Sequence, residues 1–265
     1  MKLLFIRHGD PDYEHDTLTE KGHREAALLA EKLCKLPIDE FYMSPLGRAQ
    51  DTAAYTLNKL GKKAEVLEWL REFPAKLDIN GSEELIKAYP DTFVQAGAKN
   101  EEGGTVYQNR IVWDMLPAFW TEHPEFFERE GWRNSIVSAH SDMEVVYDRV
   151  TSGLDGFLAE HGYVREGSHY RVEQGNEKTI AFFCHFGVTS VLLSHLWSIS
   201  PMITLHSFAM APTSVTELAS EERQKGCAYF RGLCIGDISH LYVGGEEPSF
   251  SARFCETYEN TSERH

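Results

Sequence analysis

A chain of 265 residues with 42% hydrophobic and 12% aromatic content can bury a substantial core, in one large α/β domain or two small ones, which excludes an intrinsically disordered protein. Its 41 acidic against 26 basic residues leave a net charge of -15, which argues against nucleic acid or an anionic membrane as the main partner and confines any bound anion to a local cationic pocket. Cys34, Cys184, Cys227, Cys234 and Cys255 form no C-x-x-C pair, the opening apolar run meets Arg7 and His8 too soon for a signal-peptide core, and no run is long enough to span a bilayer, so a cytoplasmic protein with reduced thiols is expected.

The first element is Leu3-Leu4-Phe5-Ile6, an apolar run that reads as a buried strand and stops at Arg7-His8-Gly9. In an open α/β sheet ligands bind outside the carboxyl ends of strands, so Arg7 and His8 are expected at a site mouth, with Gly9 letting the backbone turn or approach a ligand. After a polar loop from Asp10 to Thr17, a helix is expected with Thr19 as its N-cap and Ala26, Leu29, Ala30 and Leu33 on one face. Pro37 ends that region. A short strand, Phe41-Tyr42-Met43, runs into Ser44-Pro45-Leu46-Gly47-Arg48-Ala49, where Ser44 is expected to cap the next helix with Pro45 at its first position. This helix carries Arg48 in its first turn and stops at Gly61. Arg7 and Arg48 are thereby expected on one edge of one sheet.

Ala64-Glu65-Val66-Leu67 alternates like a strand and leads to Trp69-Leu70-Arg71-Glu72-Phe73. From about residue 74 to 133, Gly81, Pro90, Gly97, Gly103-Gly104, Pro117 and Pro124 break the pattern. This stretch reads as an insertion in a single domain spanning 1–265, with helical pieces near Glu83 to Tyr89 and Arg110 to Trp120. Its aromatics Trp113, Phe119, Trp120, Phe126, Phe127 and Trp132 either cap a cleft or, the favoured reading, form the small core of the insertion. Ser141-Asp142-Met143-Glu144 is a capping-box pattern opening a helix with Val145, Val146, Val150, Leu154 and Leu158 that stops at Gly162.

His169 to Val172 reads as a strand. Thr179-Ile180-Ala181-Phe182-Phe183-Cys184-His185-Phe186-Gly187 then repeats the opening design of apolar strand, histidine and glycine. A helix from about Val188 to Trp197 follows, so backbone N–H groups near Phe186 and Gly187 are placed to face an anion. Thr213 to Leu218 and Cys227 to Ile235 read as the last strands, and the tail beyond Gly244 is polar.

Four features point at one edge: Arg7-His8, Arg48, His185 and an acidic residue near Glu72. Two guanidiniums offer planar forks that suit phosphoryl oxygens. One histidine can attack phosphorus while the other donates to an equatorial oxygen, and a carboxylic acid can protonate a leaving alkoxide. That inventory requires no metal and no cofactor. The twelve histidines include no H-x-x-x-H helical pair and no clustered cysteine partner, which leaves a metalloprotein disfavoured, and His140, His161, His195, His206 and His240 read as structural or exposed.

These motifs taken together, Arg7-His8-Gly9, Leu18-Thr19-x-x-Gly22, Ser44-Pro45-x-x-Arg48-Ala49-x-x-Thr52-Ala53, Leu70-Arg71-Glu72 and His185-Phe186-Gly187, resemble the histidine phosphatase superfamily with its phosphoglycerate mutase-like fold. The resemblance runs in order from residue 2 to about 240. It implies a three-layer α/β/α sandwich on a mostly parallel sheet and a phosphohistidine intermediate on His8. It also implies a phosphate pocket of Arg7, Arg48 and His185, with Gly9, Phe186 and Gly187 as neighbouring binding positions. Glu72 is implied as proton donor; of the nearby acids Glu68, Asp78, Glu83 and Glu84, none shares its Leu-x-Glu context.

Departures from the family pattern narrow the expectation. Asp10-Pro11-Asp12-Tyr13-Glu14 stands where a Thr/Ser-x-x-Asn stretch is usual, with Glu14 at the asparagine position, and Phe73-Pro74-Ala75-Lys76-Leu77-Asp78 replaces a Gly-x-x-Glu-Gly continuation. Acidic Asp10, Asp12, Glu14 and Asp16 beside His8 disfavour a doubly anionic substrate such as phosphoglycerate. The expected function is therefore metal-independent hydrolysis of a small phosphomonoester. The alternatives are a phosphoglycerate mutase-type phosphotransferase and a phospho-ligand binding protein that has lost turnover.

Overall fold

The apolar run that opens the chain forms strand β1 (Lys2–Arg7), in which Leu3, Leu4, Phe5 and Ile6 are all buried. A strand buried on both faces needs cover on both. Leu4 and Ile6 pack with Leu29 and Leu33 of α1 (Glu20–Leu33) and with Ala53 and Leu57 of α2 (Gly47–Leu60). Phe5, on the opposite face, stacks on Phe182 with ring centroids 5.3 Å apart, and Phe182 meets Phe157 of α3 (Met143–Glu160) edge-on at 5.2 Å. Helices on both faces of the sheet make the expected three-layer α/β/α sandwich. The computed structural model describes residues 1–89, 94–99, 103–249 and 259; Pro90, Cys255 and the far end of the polar tail lie outside the described residues.

With β2 (Glu40–Met43), β3 (Glu65–Val66), β4 (Tyr163–Glu166), β5 (His169–Val172), β6 (Thr179–Cys184), β7 (Val215–Gln224) and β8 (Cys227–Asp237), one eight-stranded sheet has the order β4-β5-β8-β7-β1-β6-β2-β3. Pairing is parallel across β1, β6, β2 and β3 and antiparallel from β1 out to β4. The sheet is thus mixed, because its outer half is built from hairpins whose short connections, such as Lys225-Gly226, can only return the chain antiparallel. The parallel half carries the strands that end in Arg7-His8 and in His185.

Several local expectations are corrected. Helix α2 starts at Gly47 with Leu46 at its N-cap and no side-chain cap, so Ser44 lies outside it and accepts instead from Leu46 N. Of the two helical pieces expected after residue 82, the first shrinks to Glu83–Ile86, and in the second Arg110–Ile111 is a strand paired with Lys76–Leu77, leaving only Pro117–Trp120 helical. In α3 the buried residues Val146, Tyr147, Val150, Leu154, Phe157 and Leu158 recur at three- and four-residue spacing; Val145 falls off that face and is 74% exposed. The single helical turn Ile136–Ala139 was not anticipated, nor were α5 (Pro201–Ser207) and α6 (Ser239–Gly244), which follow α4 (Phe186–Trp197). No helix among the described residues is long and apolar enough to cross a membrane.

The chain divides into two compact units, the first made of Met1–Glu72, Gly153–Thr189 and Ala209–His265, the second of Phe73–Ser152 and Ser190–Phe208. The segment expected as an insertion, about 74–133, lies in the second unit, which has its own core. Phe119, Phe126 and Trp132 are buried there, whereas Phe127 is exposed. Arg133 holds that unit's surface together through Glu130, Glu144 and Asp148, and Trp120 stacks on His206 at 5.0 Å.

In the first unit the loop after β1 is pressed onto the first turn of α1. Thr19 caps that helix by accepting from Gly22 N, as expected. A Cβ on Gly22 would lie 2.3 Å from the Asp10 carbonyl oxygen, and one on Gly9 would lie 2.7 Å from the Gly22 carbonyl oxygen, so neither position admits a side chain. Beneath the loop, wholly buried Glu25 accepts from Asp10 N at 2.8 Å, and burial, then the Asp10 charge, push its carboxyl up to about 7.

Two outcomes follow for stability. Gly22→Ala should destabilise the chain by about 1–3 kcal/mol in urea unfolding, since the clash is with main chain. Glu25 stays protonated in the folded chain at pH values where the unfolded chain has already ionised it. Its contribution therefore falls as pH rises from about 4.5 to about 7 and is level above that. The stability difference between wild type and Glu25→Gln, followed by urea unfolding, should shift toward the variant across that window and stop shifting beyond it.

Candidate active site

The site is built where three parallel strands end side by side. Arg7 stands opposite Cys184 in the β1–β6 register, so the next residues, His8 and His185, emerge together. Main-chain bonds fix His8 from both sides: its N–H donates to the Cys184 carbonyl at 3.0 Å, and its carbonyl accepts from Thr213 N at 3.0 Å. Strand β2 ends beside β6, with Ser44 N donating to the Phe183 carbonyl at 2.8 Å. The two imidazoles lie 5.1 Å apart between ring centroids, and both residues are at most 1% exposed.

A hydrogen bond selects the tautomer of His8. His8 Nδ1 lies 2.7 Å from the Gly9 carbonyl, which can only accept, so Nδ1 carries the proton and Nε2 keeps its lone pair. His185 Nε2 lies 2.7 Å from Ser44 Oγ, which also accepts from Leu46 N and, with its second lone pair and its own proton, can serve either tautomer of that ring. His185 Nδ1 is buried and has no hydrogen-bond partner among the described residues. Burial pushes both rings well below the ordinary histidine range; the charges of Arg7 and then Arg48 add to this at His8, and those of His8, Arg48 and Arg7 add to it at His185.

The arginines frame the pair. Arg7 donates through Nη1 to the Met210 carbonyl at 2.5 Å, and burial lowers its pKa while Tyr13 and Glu72 oppose the fall. Arg48, only 8% exposed, donates through Nη1 to Asp16 Oδ1 at 2.6 Å, and its guanidinium lies 5.4 Å from the centre of the Tyr13 ring. The Nε atoms of Arg7 and Arg48, like Nδ1 of His185, are buried and without a hydrogen-bond partner among the described residues. Two orphaned guanidinium donors beside the histidine pair suit an oxyanion, since buried N–H groups are otherwise almost always paired.

The remaining expected residues fall as follows. Glu72 Oε1 accepts from Val188 N at 3.1 Å in the first turn of α4, where a helix N-terminus favours a carboxylate. It faces the cup closely enough to act on Arg7. Of its rivals, Glu68 is exposed and paired with Arg71, and Asp78, Glu83 and Glu84 are residues of the second unit. The amides of Phe186 and Gly187 open the same helix turn. Gly9 N donates to Thr52 Oγ1 at 2.9 Å, so Gly9 serves the site by letting the backbone pass Gly22.

Other contributors were not legible as such. Ser44 acts on His185 and not as a helix cap. Asp16, not Glu14, is the loop acid that reaches a guanidinium; Glu14 is exposed. Thr213, at φ 60, is strained for a β-branched residue, and His240 Nε2 lies 2.9 Å from its Oγ1, so His240 supports the turn that holds the His8 carbonyl. Only the positive φ of Asp16 and Thr213 marks them, and that is invisible in the sequence.

The structure is thus an α/β protein with a buried histidine pair flanked by guanidinium groups at the carboxyl end of parallel strands, an arrangement chemically suited to an oxyanion. The model of the histidine phosphatase superfamily (branch 1) matches residues 3–111, the segment that contains Arg7, His8, Arg48 and Glu72. A 2,3-bisphosphoglycerate-dependent phosphoglycerate mutase of Thermoplasma acidophilum is 23% identical over 190 residues, covering 68% of this chain and 80% of the mutase. A phosphoserine phosphatase mutant of Entamoeba histolytica, solved with phosphoserine, superimposes with a TM-score of 0.54 at 17% identity, over 91% of this chain and 98% of its own. A mycobacterial glucosyl-3-phosphoglycerate phosphatase does so with a TM-score of 0.54 at 16% identity, over 89% and 98%. The fold is therefore that of the phosphoglycerate mutase-like histidine phosphatases.

The tautomers and depressed basicity are open to measurement. Two-bond proton–nitrogen correlation spectra should show His8 and His185 neutral at about pH 6, where an ordinary histidine is largely charged, with His8 protonated on Nδ1. A charged ring at either position under those conditions would refute the assignment.

Proposed function

We propose that the protein is a metal-independent phosphatase that hydrolyses a small phosphomonoester through a phosphohistidine on His8. The observation that carries this reading is the free Nε2 lone pair of a buried His8 beside the unpartnered donors Arg7 Nε and Arg48 Nε. His8 Nε2 attacks phosphorus in line while the leaving oxygen departs. The two guanidinium donors, joined by His185 in its Nδ1-protonated tautomer, stabilise charge on the equatorial oxygens, a role that costs little reorganisation because the groups are already fixed. Glu72, in its protonated form, gives its proton to the leaving alkoxide. The resulting carboxylate then takes a proton from water as the water attacks the phosphohistidine, returning His8 and releasing phosphate. The widely spaced cysteines support a cytoplasmic setting.

A mutase-type phosphotransfer is the second reading, favoured by the match to the Thermoplasma mutase. Interconversion of 2- and 3-phosphoglycerate by the purified protein would establish it over hydrolysis.

The test is a panel of phosphomonoesters assayed with chelator present. His8→Ala should lose at least about a thousandfold in kcat while remaining folded, and should fail to take up label from a phosphorylated substrate. Glu72→Gln should slow release of an alkyl alcohol by about a hundredfold, yet slow release of nitrophenol much less, since a good leaving group needs no acid. Undiminished turnover in His8→Ala would sink the proposal.

A further inference from the structure

Of the four acids in the loop after β1, one reaches a cation of the cup, and it does so in a built position. Asp16 places Oδ1 2.6 Å from Arg48 Nη1 and Oδ2 2.7 Å from Gly47 N, the first amide of the fourteen-residue helix α2. A guanidinium edge beside a helix N-terminal amide is where an anion would settle, and here the chain supplies that anion itself. The placement is rigid. Asp16 sits at φ 49, a conformation that aspartate and asparagine tolerate better than most residues, and a Cβ on residue 47 would lie 2.2 Å from the Asp16 carbonyl oxygen, so the two main chains are in contact. Asp10 and Asp12 are engaged elsewhere, Asp10 with Thr19 and Ser249, Asp12 with His15.

Arg48 is therefore divided. Its buried Nε has no acceptor and remains for a phosphoryl oxygen, whereas its Nη1 edge is taken by Asp16 and its face by the Tyr13 ring. The side chain of Asp16 is 44% exposed, so its charge borders the solvent side of the cup, where the alcohol part of an ester must emerge. We infer that Asp16 is a specificity determinant which closes the position a second anionic group would need, restricting the site to phosphomonoesters whose alcohol part carries neither carboxylate nor second phosphate. A substrate with such a group would meet a carboxylate instead of a guanidinium edge, and would have to displace a two-point internal bond to bind. This inference rests on the phosphate-binding cup proposed above.

Glycerol 3-phosphate and 3-phosphoglycerate test it, because they share a three-carbon skeleton and differ by a carboxylate in place of a hydroxymethyl group. Dissociation constants are measured by calorimetry at fixed ionic strength in full-length His8→Ala protein, so that hydrolysis plays no part, with Asp16 present or replaced. With Asp16 present, glycerol 3-phosphate should bind more tightly. Asp16→Asn keeps an acceptor for Gly47 N and suits the positive φ, and it should move the ratio of the two constants by about tenfold toward 3-phosphoglycerate, a value discounted for the exposure of the pair. Asp16→Gly, which also accepts that backbone, should move it the same way. A ratio unchanged within about twofold in both variants, tighter binding of 3-phosphoglycerate with Asp16 in place, or binding of neither ester would overturn the inference. If the ratio shifts as expected while wild type hydrolyses no ester, Asp16 keeps its role and the phosphatase reading alone falls.

Discussion

The parallel pairing of β1 with β6 is the constraint from which the site follows. Each strand is an apolar run whose last position is held in register, Arg7 opposite Cys184, and each is followed at once by histidine. Shifting the register by one residue would turn Leu4 and Ile6 away from Leu29, Leu33 and Ala53 and expose the sheet face that α1 and α2 now cover. The separation of the two imidazoles is thus set by the same packing that stabilises the sheet, and the geometry of His8 and His185 cannot drift without disturbing the core.

Burial on that scale has an electrostatic consequence. Imidazoles beside guanidinium groups, out of water, are held neutral, and the Gly9 carbonyl leaves the lone pair of His8 on Nε2. A chain with a net charge of -15 can still offer a cationic cup, because Arg7, Arg48 and their unpartnered Nε atoms are concentrated at one sheet edge. The surrounding acids do not simply neutralise it. Glu72 is held by the first turn of α4, Asp16 is fixed on the outer edge of Arg48, and Glu25 lies under the loop that connects β1 to α1. Each carboxylate is tied to a backbone N–H, which fixes both its direction and its distance from the arginines.

The resemblance to histidine phosphatases was legible because its motifs sit where local rules are strong. Strand ends, the Thr19 cap and the Gly61 stop all leave marks in neighbouring residues, and the family match over residues 3–111 agrees with them. Ser44 shows the limit of such rules. A serine followed by proline is a sound helix-start signal, yet the helix begins at Gly47 and the hydroxyl serves an imidazole 141 positions away in the chain. The broken stretch after residue 73 misled for the opposite reason: its helices are single turns, too short for periodicity to show, and Arg110–Ile111 is a strand only because Lys76–Leu77 lies beside it.

The sequence by itself determined the apolar strands, the main helices and the residue types that carry the chemistry, since these depend on periodicities of two and of about three and a half residues and on short-range capping. Tertiary structure alone decided the mixed sheet order, the protonated nitrogen of His8, the pairing of His185 with Ser44, the choice of Asp16 over Glu14 as the partner of Arg48, and the role of Thr213 and His240 behind His8. Those outcomes hinge on hydrogen bonds and ion pairs between residues far apart in the chain. Such contacts exist only after the core has closed, so no local pattern encodes them.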